Sequence, residues 1–376
     1  MHIAEQGVLC AGTPGSESRA VATFPSVTVL PDGTLLAVYR IGKSKDSEGS
    51  VTELRRSPDG GRTWSAPETP FSNAFQGVRG SLQVVYVTRL DRGLLATALW
   101  VDREAYPGQP LFHAETEGCL PMRILVANSG DEGRSWSEWR EVGVTLDVGP
   151  PSLTSPAVRL AVSGRIVISI ETNKPYLDRS PWLQRVVHCE SIDGGATWSA
   201  PRTVCQDPSG AIFHWDQRLA AAPGGDLLAA FSWTYDKAAN RYLPIRRHIS
   251  RDEGQTWSTD QLDFADQPAH PAVLPDGRTV LAWVDRYGSR SIRARCAKTI
   301  DGVFDPSSEV VLYEAATPAR QTGDTAGMLT DMSLWSFGLP YAEALPDGQS
   351  VLVVYYAGAA DCMDIRWARL AAAGLQ

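Results

Sequence analysis

Carboxylates, arginines, histidines and tryptophans recur at the ends of the apolar runs of this chain, where a fold brings short loops together. Asp46 lies in the loop Lys45-Asp46-Ser47-Glu48-Gly49, with Glu48 as a neighbouring carboxylate. Asp216 stands at a strand start in His214-Trp215-Asp216-Gln217, where partial burial would raise a carboxyl pKa. His214 and His270 open apolar runs, Tyr341 opens another, and Arg79 directly precedes one. Asp102, Arg103, Glu171, Asp285 and Arg286 end or follow such runs, and Arg40 and Arg290 lie close by. Together these residue types suit sugar chemistry. Paired carboxyls can move protons around an oxocarbenium-like transition state, and arginine forks bind carboxylate-bearing sugars. Trp215, Trp233 and Trp335 are large enough to stack on sugar rings.

Other chemistries leave no trace. There is no HExxH, GxSxG, P-loop or dinucleotide-binding glycine pattern. The six cysteines (10, 119, 189, 205, 296 and 362) form no CxxC pair and no zinc-type spacing. His214, Asp216 and His270 are the residues that could converge on a metal, but nothing in the spacing requires one, so no metal or cofactor is expected. Net charge is −8 with no long basic block, which argues against a nucleic-acid partner. No apolar run reaches membrane-spanning length. The N-terminus lacks the basic and apolar regions of an export signal, so reduced thiols and a cytoplasmic location are expected. The expected partner is an oligosaccharide or glycoside.

Two internal repeats say what positions these residues. The octet S-x-D-x-G-x-[ST]-W occurs at Ser57–Trp64, Ser129–Trp136, Ser191–Trp198 and Ser250–Trp257, with a degraded copy at Thr299-Ile300-Asp301-Gly302. Its Asp accepts local N–H groups, its Gly takes positive φ and its Trp anchors the turn. The octet aspartates (59, 131, 193 and 252) are therefore scaffold. Apolar–turn–apolar hairpins centre on Gly33, Gly93, Gly164, Gly225, Gly277 and Gly348. Each is followed by a loop and a third strand, and four of them by an octet. This predicts a single all-β domain over residues 1–376, a six-bladed β-propeller. The last hairpin is followed by a third strand at Asp364–Leu370 and no fourth. Gly7–Cys10 precedes the first hairpin without a blade of its own. The N-terminal strand is therefore expected to join the last blade and close the ring. The long loops 40–50, 101–121, 172–184 and 234–244 fall on the face away from the hairpin turns, which is where a site is expected.

The octets resemble the Asp-box (BNR) repeats of the sialidase superfamily, and the six hairpins match its propeller. That resemblance implies specific roles. Asp46 matches the family's acid/base aspartate with a one-residue gap. Asp216 falls where the family has the glutamate that activates its tyrosine nucleophile, and Tyr341 resembles that tyrosine but sits two residues late. Arg40 matches a first-blade arginine and Arg290 resembles the third arginine of the family's carboxylate-binding triad. The first triad arginine is replaced by Thr23-Phe24-Pro25, with Arg79 as a candidate substitute. The second has no counterpart near Trp233–Asp236, where Arg241 is nearest. The clamp is incomplete, so the resemblance implies an exo-acting glycosidase on an uncommon acidic or neutral terminal sugar. Two alternatives use the same scaffold: a polysaccharide lyase with His or Tyr as base, and a carbohydrate-binding propeller without catalysis.

Overall fold

The computed structural model describes all residues except 145, 147, 148, 226, 265, 266, 317–322 and 373–376. Every predicted hairpin is present. Val21–Val29 pairs antiparallel with Leu35–Gly42 across a tight turn, in which Gly33 (φ +86°) donates its N–H to the Leu30 carbonyl at 2.9 Å. The same two-strand unit recurs at the other five turn glycines. In each unit a third strand pairs antiparallel with the second.

Strand pairing gives five hydrogen-bonded sheets. The largest holds two of the units, Phe337–Ala344 with its partners and Val21–Val29 with its partners, joined by a single parallel bridge between Val21 and Met363. The N-terminal strand runs over His2–Cys10, longer than expected, and pairs antiparallel with Cys362–Ala371 from His2↔Ala371 to Cys10↔Ile365. The first strands of all six units line one axial cavity of about 570 Å³, each contributing residues near its hairpin turn, such as Thr28, Val87, Val158, Leu219, His270 and Tyr341.

Sheets pack against sheets on both faces, so the second strands read as continuous apolar runs rather than alternating ones. In Leu35–Gly42 every residue is buried. Leu35, Ala37, Tyr39 and Ile41 enter one core cluster, while Leu36 and Val38 enter another.

The octets form the expected turns. Asp59 accepts from the Ser57 hydroxyl (2.8 Å), the Thr63 N–H (2.9 Å) and the Thr63 hydroxyl (2.6 Å), and Trp64 Nε1 donates to the Gly61 carbonyl (2.9 Å). These bonds, those from Thr63 foremost, bring the Asp59 carboxyl down to about 2. Register fixes where the octets lie: Leu35 pairs with Ser57, Leu94 with Ser129, Ile166 with Ser191 and Leu228 with Ser250. Each octet therefore begins at the same sheet edge as the hairpin turns.

Three details differ from the sequence expectation. The loop expected over 234–244 is mostly strand, because Leu228–Asp236 and Arg241–Ser250 extend until only 237–240 connect them. The first unit has an isolated bridge, Leu54↔Glu68, in place of a fourth strand. A short helix, Thr325–Asp331, followed by a 3-10 turn over Met332–Leu334, precedes the last inner strand. Among the described residues no helix is long and apolar enough to cross a membrane.

Candidate active site

Opposite the hairpin turns lies a second cavity of about 380 Å³, and five inner strands enter it in the same way. Each carries one irregularity in its pairing with the second strand, at Thr23/Ser26, Leu82/Val84, Trp215/Arg218, Gln267/Ala269 and Gly338/Tyr341. An extra residue in one strand turns side chains out of the pleat. One residue inside each irregularity, Phe24, Gln83, Asp216, Pro268 or Leu339, lines the cavity. Phe24, Asp216 and Leu339 hold φ values of +54°, +47° and +43°. For non-glycine residues this is a costly conformation that the surrounding sheets must enforce.

Asp46 and Asp216 both line this cavity. Asp46 accepts from Arg103 Nη2 at 2.6 Å and from Gln83 Nε2 at 3.1 Å. Arg103 is buried and also bonds the Ser81 hydroxyl at 2.8 Å, so it fixes the Asp46 carboxylate from behind. Asp216 accepts from Trp233 Nε1 at 3.0 Å, and the buried Arg218 guanidinium stands 3.7 Å away. Behind it Glu171 accepts the Gln217 N–H at 3.1 Å. Burial, reinforced by the Asp216 charge, pushes the Glu171 carboxyl well above the usual range.

A tyrosine hydroxyl faces these groups, and it belongs to Tyr356. This residue lies on the second strand of the last unit, Ser350–Ala359, opposite Gly338. Lys45 Nζ donates to its hydroxyl at 2.9 Å and to the Met332 carbonyl at 2.7 Å. Arg286 also bonds it. Burial pushes the Tyr356 hydroxyl up to about 12, with Arg286 pulling it down and Asp216 pushing it further up. Burial, with Arg286 adding to it, depresses the Lys45 ammonium far below its usual value. Arg286 lies 4.0 Å from the Trp335 ring centroid. The remaining wall is mostly apolar and includes Phe24, Leu111, Phe112, Leu329, Met332 and Leu339.

The other sequence candidates lie elsewhere. Tyr341 is buried on the axial cavity toward the hairpin face and stacks on His270 with centroids 4.0 Å apart. The irregularity at 339–340 is the cause: it gives Leu339 the cavity position and sends Tyr341 the other way. His270 shares that axial cavity, with Nδ1 accepting the Ala342 N–H at 3.3 Å, so it does not converge with His214 and Asp216. His214 and Trp215 are buried, Trp215 within a cluster of Trp182, Phe213, Trp233 and Tyr235. Arg40 is buried and donates to the Lys45 carbonyl (2.9 Å), the Ser47 carbonyl (2.8 Å), Ser50 and Gln83. It braces the 43–50 loop, and burial brings its guanidinium down to about 10. Asp102 accepts the Glu104 and Ala105 N–H groups. Arg79 is exposed and paired with Glu48 at 3.4 Å. Arg290 occupies a turn (φ +56°) outside the cavity lining.

Tyr356, Lys45, Gln83 and the helix were not foreseen. Tyr356 reads as core because it sits inside an unbroken apolar strand, and Lys45 reads as an ordinary solvated loop lysine.

No family model matches the chain. A sialidase of Bacteroides fragilis (strain YCH46) is 26% identical over 207 residues, which cover 49% of this chain and 35% of that protein, so only about a third of that relative's length is matched. A protein of unknown function from Dyadobacter fermentans DSM 18053 superposes with a TM-score of 0.74 at 22% identity over 98% of both chains. The intramolecular trans-sialidase from Ruminococcus gnavus, solved with oseltamivir carboxylate, superposes with a TM-score of 0.66 at 14% identity over 97% of both chains. The fold is that of the sialidase-like propellers.

Proposed function

We propose that this chain is an exo-acting glycoside hydrolase working by retention, on a six-bladed ring that the N-terminal strand closes. The observation that carries this reading is that two carboxylates, Asp46 and Asp216, share one cavity with a tyrosine hydroxyl held by two donors, Lys45 and Arg286. In this mechanism Tyr356 Oη attacks the anomeric carbon while Asp216 takes the hydroxyl proton. Asp46 gives its proton to the departing glycosidic oxygen. Asp46 then deprotonates a water that attacks the same carbon, and the tyrosine leaves with its proton restored from Asp216. Arg103 and Gln83 hold Asp46 in place through both steps.

The substrate fits this wall. Arg286 is the one arginine lining the cavity among the described residues, and Phe24, Leu339 and Trp335 surround it. A terminal sugar with a substantial apolar face, neutral or bearing a single acidic group, suits this surface better than one that needs a clamp of several arginines. The lyase reading has less support, since His214 and His270 lie outside the cavity lining. The test is a screen of aryl glycosides and uronate-bearing oligosaccharides, read for new reducing ends and for unsaturated-product absorbance. Reducing ends without absorbance, abolished by Tyr356→Phe, are expected. Absorbance from uronates, or turnover untouched by Tyr356→Phe, would overturn the reading.

A further inference from the structure

We propose that Cys205, His214 and His248 form a zinc site that ties two neighbouring sheets together. The thiol sulfur and one nitrogen of each ring lie within 4.8 Å of one another. Cys205 ends the outer strand Arg202–Gln206 of one sheet. His214 lies on the inner strand Ile212–Ala221 of the next, and His248 on its third strand Arg241–Ser250. Zinc with sulfur and nitrogen ligands needs bonds of about 2.0–2.3 Å, which puts tetrahedral ligand atoms about 3.5 Å apart. A contraction of up to about 1.3 Å closes this trio on the ion. Three protein ligands leave one position open, and the half-buried Cys205 side gives solvent access to it.

The surroundings are those of ligands rather than of packing. His214 Nδ1 and His248 Nε2 are buried without a hydrogen-bond partner among the described residues. Both residues are almost wholly buried, at 2% and 1% exposure. A buried polar atom with no partner carries a full desolvation cost, which a metal bond would remove. The other nitrogen of His248, Nδ1, lies 2.8 Å from the Thr259 hydroxyl. Donation from that nitrogen leaves Nε2 with its lone pair free, the usual arrangement behind a metal-bound histidine. Gln217 Nε2 points at the Cys205 sulfur at 3.7 Å, and the same amide donates to Ser232 at 3.0 Å while its oxygen faces His188 Nε2 at 2.9 Å. An N–H aimed at sulfur favours the thiolate.

Burial and then Arg246 hold the His214 ring near 4, so its lone pair is free at neutral pH. Burial, then His214 and Arg246, hold the His248 ring near 3, with the same result. Burial raises the Cys205 thiol, so binding breaks its S–H bond, forms the S–Zn bond and releases one proton to solvent. Neither the sites nor the test depends on the hydrolase reading.

The experiment is zinc loading of the full chain followed by desalting and elemental analysis. About one zinc per chain is expected in the wild type, and at least tenfold less in Cys205→Ser. Cys362→Ser removes the other half-buried cysteine and should retain wild-type zinc. Cobalt(II) in place of zinc should give a sulfur-to-metal charge-transfer band that Cys205→Ser lacks. Chelation should lower the thermal midpoint of the wild type, and zinc should restore it, with neither effect in Cys205→Ser. Equal zinc content in wild type and Cys205→Ser, near one or near zero, overturns the proposal, as does a cobalt spectrum that Cys205→Ser leaves unchanged.

Discussion

Replacing Asp216 by Asn tests the proposed nucleophile most directly. The hydroxyl of Tyr356 is pushed up to about 12, chiefly by burial. Ionising it at pH 7 then costs 12 − 7, or about 5 units, which at 1.36 kcal/mol per unit is about 7 kcal/mol. A base that takes the proton as the bond forms offsets that cost. Asp216 is the carboxylate whose charge Tyr356 feels, with Lys45 and Arg286 as hydrogen-bond donors to the hydroxyl. Asn keeps the shape and can still accept from Trp233 Nε1, so the fold should be preserved. With any glycoside found in the screen, kcat should fall by about 10²–10⁴ for good and poor leaving groups alike. The residual rate should climb about tenfold per pH unit above neutrality, because the reactive tyrosinate grows at that rate below its pKa. Loss of the Asp216 charge lowers that pKa, so 7 kcal/mol is an upper bound on what the base offsets. A residual rate that is flat with pH, or a loss smaller than tenfold, would refute the assignment.

Asp46→Asn should abolish turnover of poor leaving groups and spare activated aryl glycosides, which need little protonation; comparing methyl and dinitrophenyl glycosides decides it. Asp193→Ala removes acceptors for Ser191 Oγ (2.8 Å), the Ala196 and Thr197 N–H groups (3.0 and 2.9 Å) and Thr197 Oγ1 (2.6 Å). It should cost about 1–3 kcal/mol in denaturant melts with kcat unchanged. Bonds from Thr197 bring this carboxyl down from 3.8 to about 2, so the wild-type contribution is full above pH 4 and lost as pH falls toward 2. Glu343 behaves oppositely, because burial at the axial cavity pushes it from 4.5 up to about 8. The folded state then holds a proton that the unfolded chain releases, and stability falls as pH rises from 4.5 to 8. Glu343→Gln should remove about 1–3 kcal/mol of the stability difference between pH 5 and pH 8.5, allowing for its partial exposure. An unchanged pH dependence of the thermal midpoint would contradict it.

The repeats determined the scaffold because they are local. Asp59 needs only its own octet to form its turn, and Gly33 needs only a hairpin, so the octet and the turn glycine predict the same conformation wherever they recur. The incomplete last unit even foretold the strand exchange at His2–Cys10, since an unpaired edge must find a partner. That Asp46 and Asp216 would share one cavity was legible because loop and strand-start positions relative to the hairpins are set by those same repeats. Tyr341 was not, because strand parity fails at an irregularity: one extra residue at Leu339 reverses which side chain faces the cavity. Arg40 looked like a ligand for substrate, but it is buried and directs most of its donors to the loop it braces and to Gln83. Tyr356 and Lys45 are far apart in sequence and meet because the first and last units lie side by side in one sheet. Cys205, His214 and His248 likewise show no motif spacing, because sheets bring them together across their packed faces rather than along the chain.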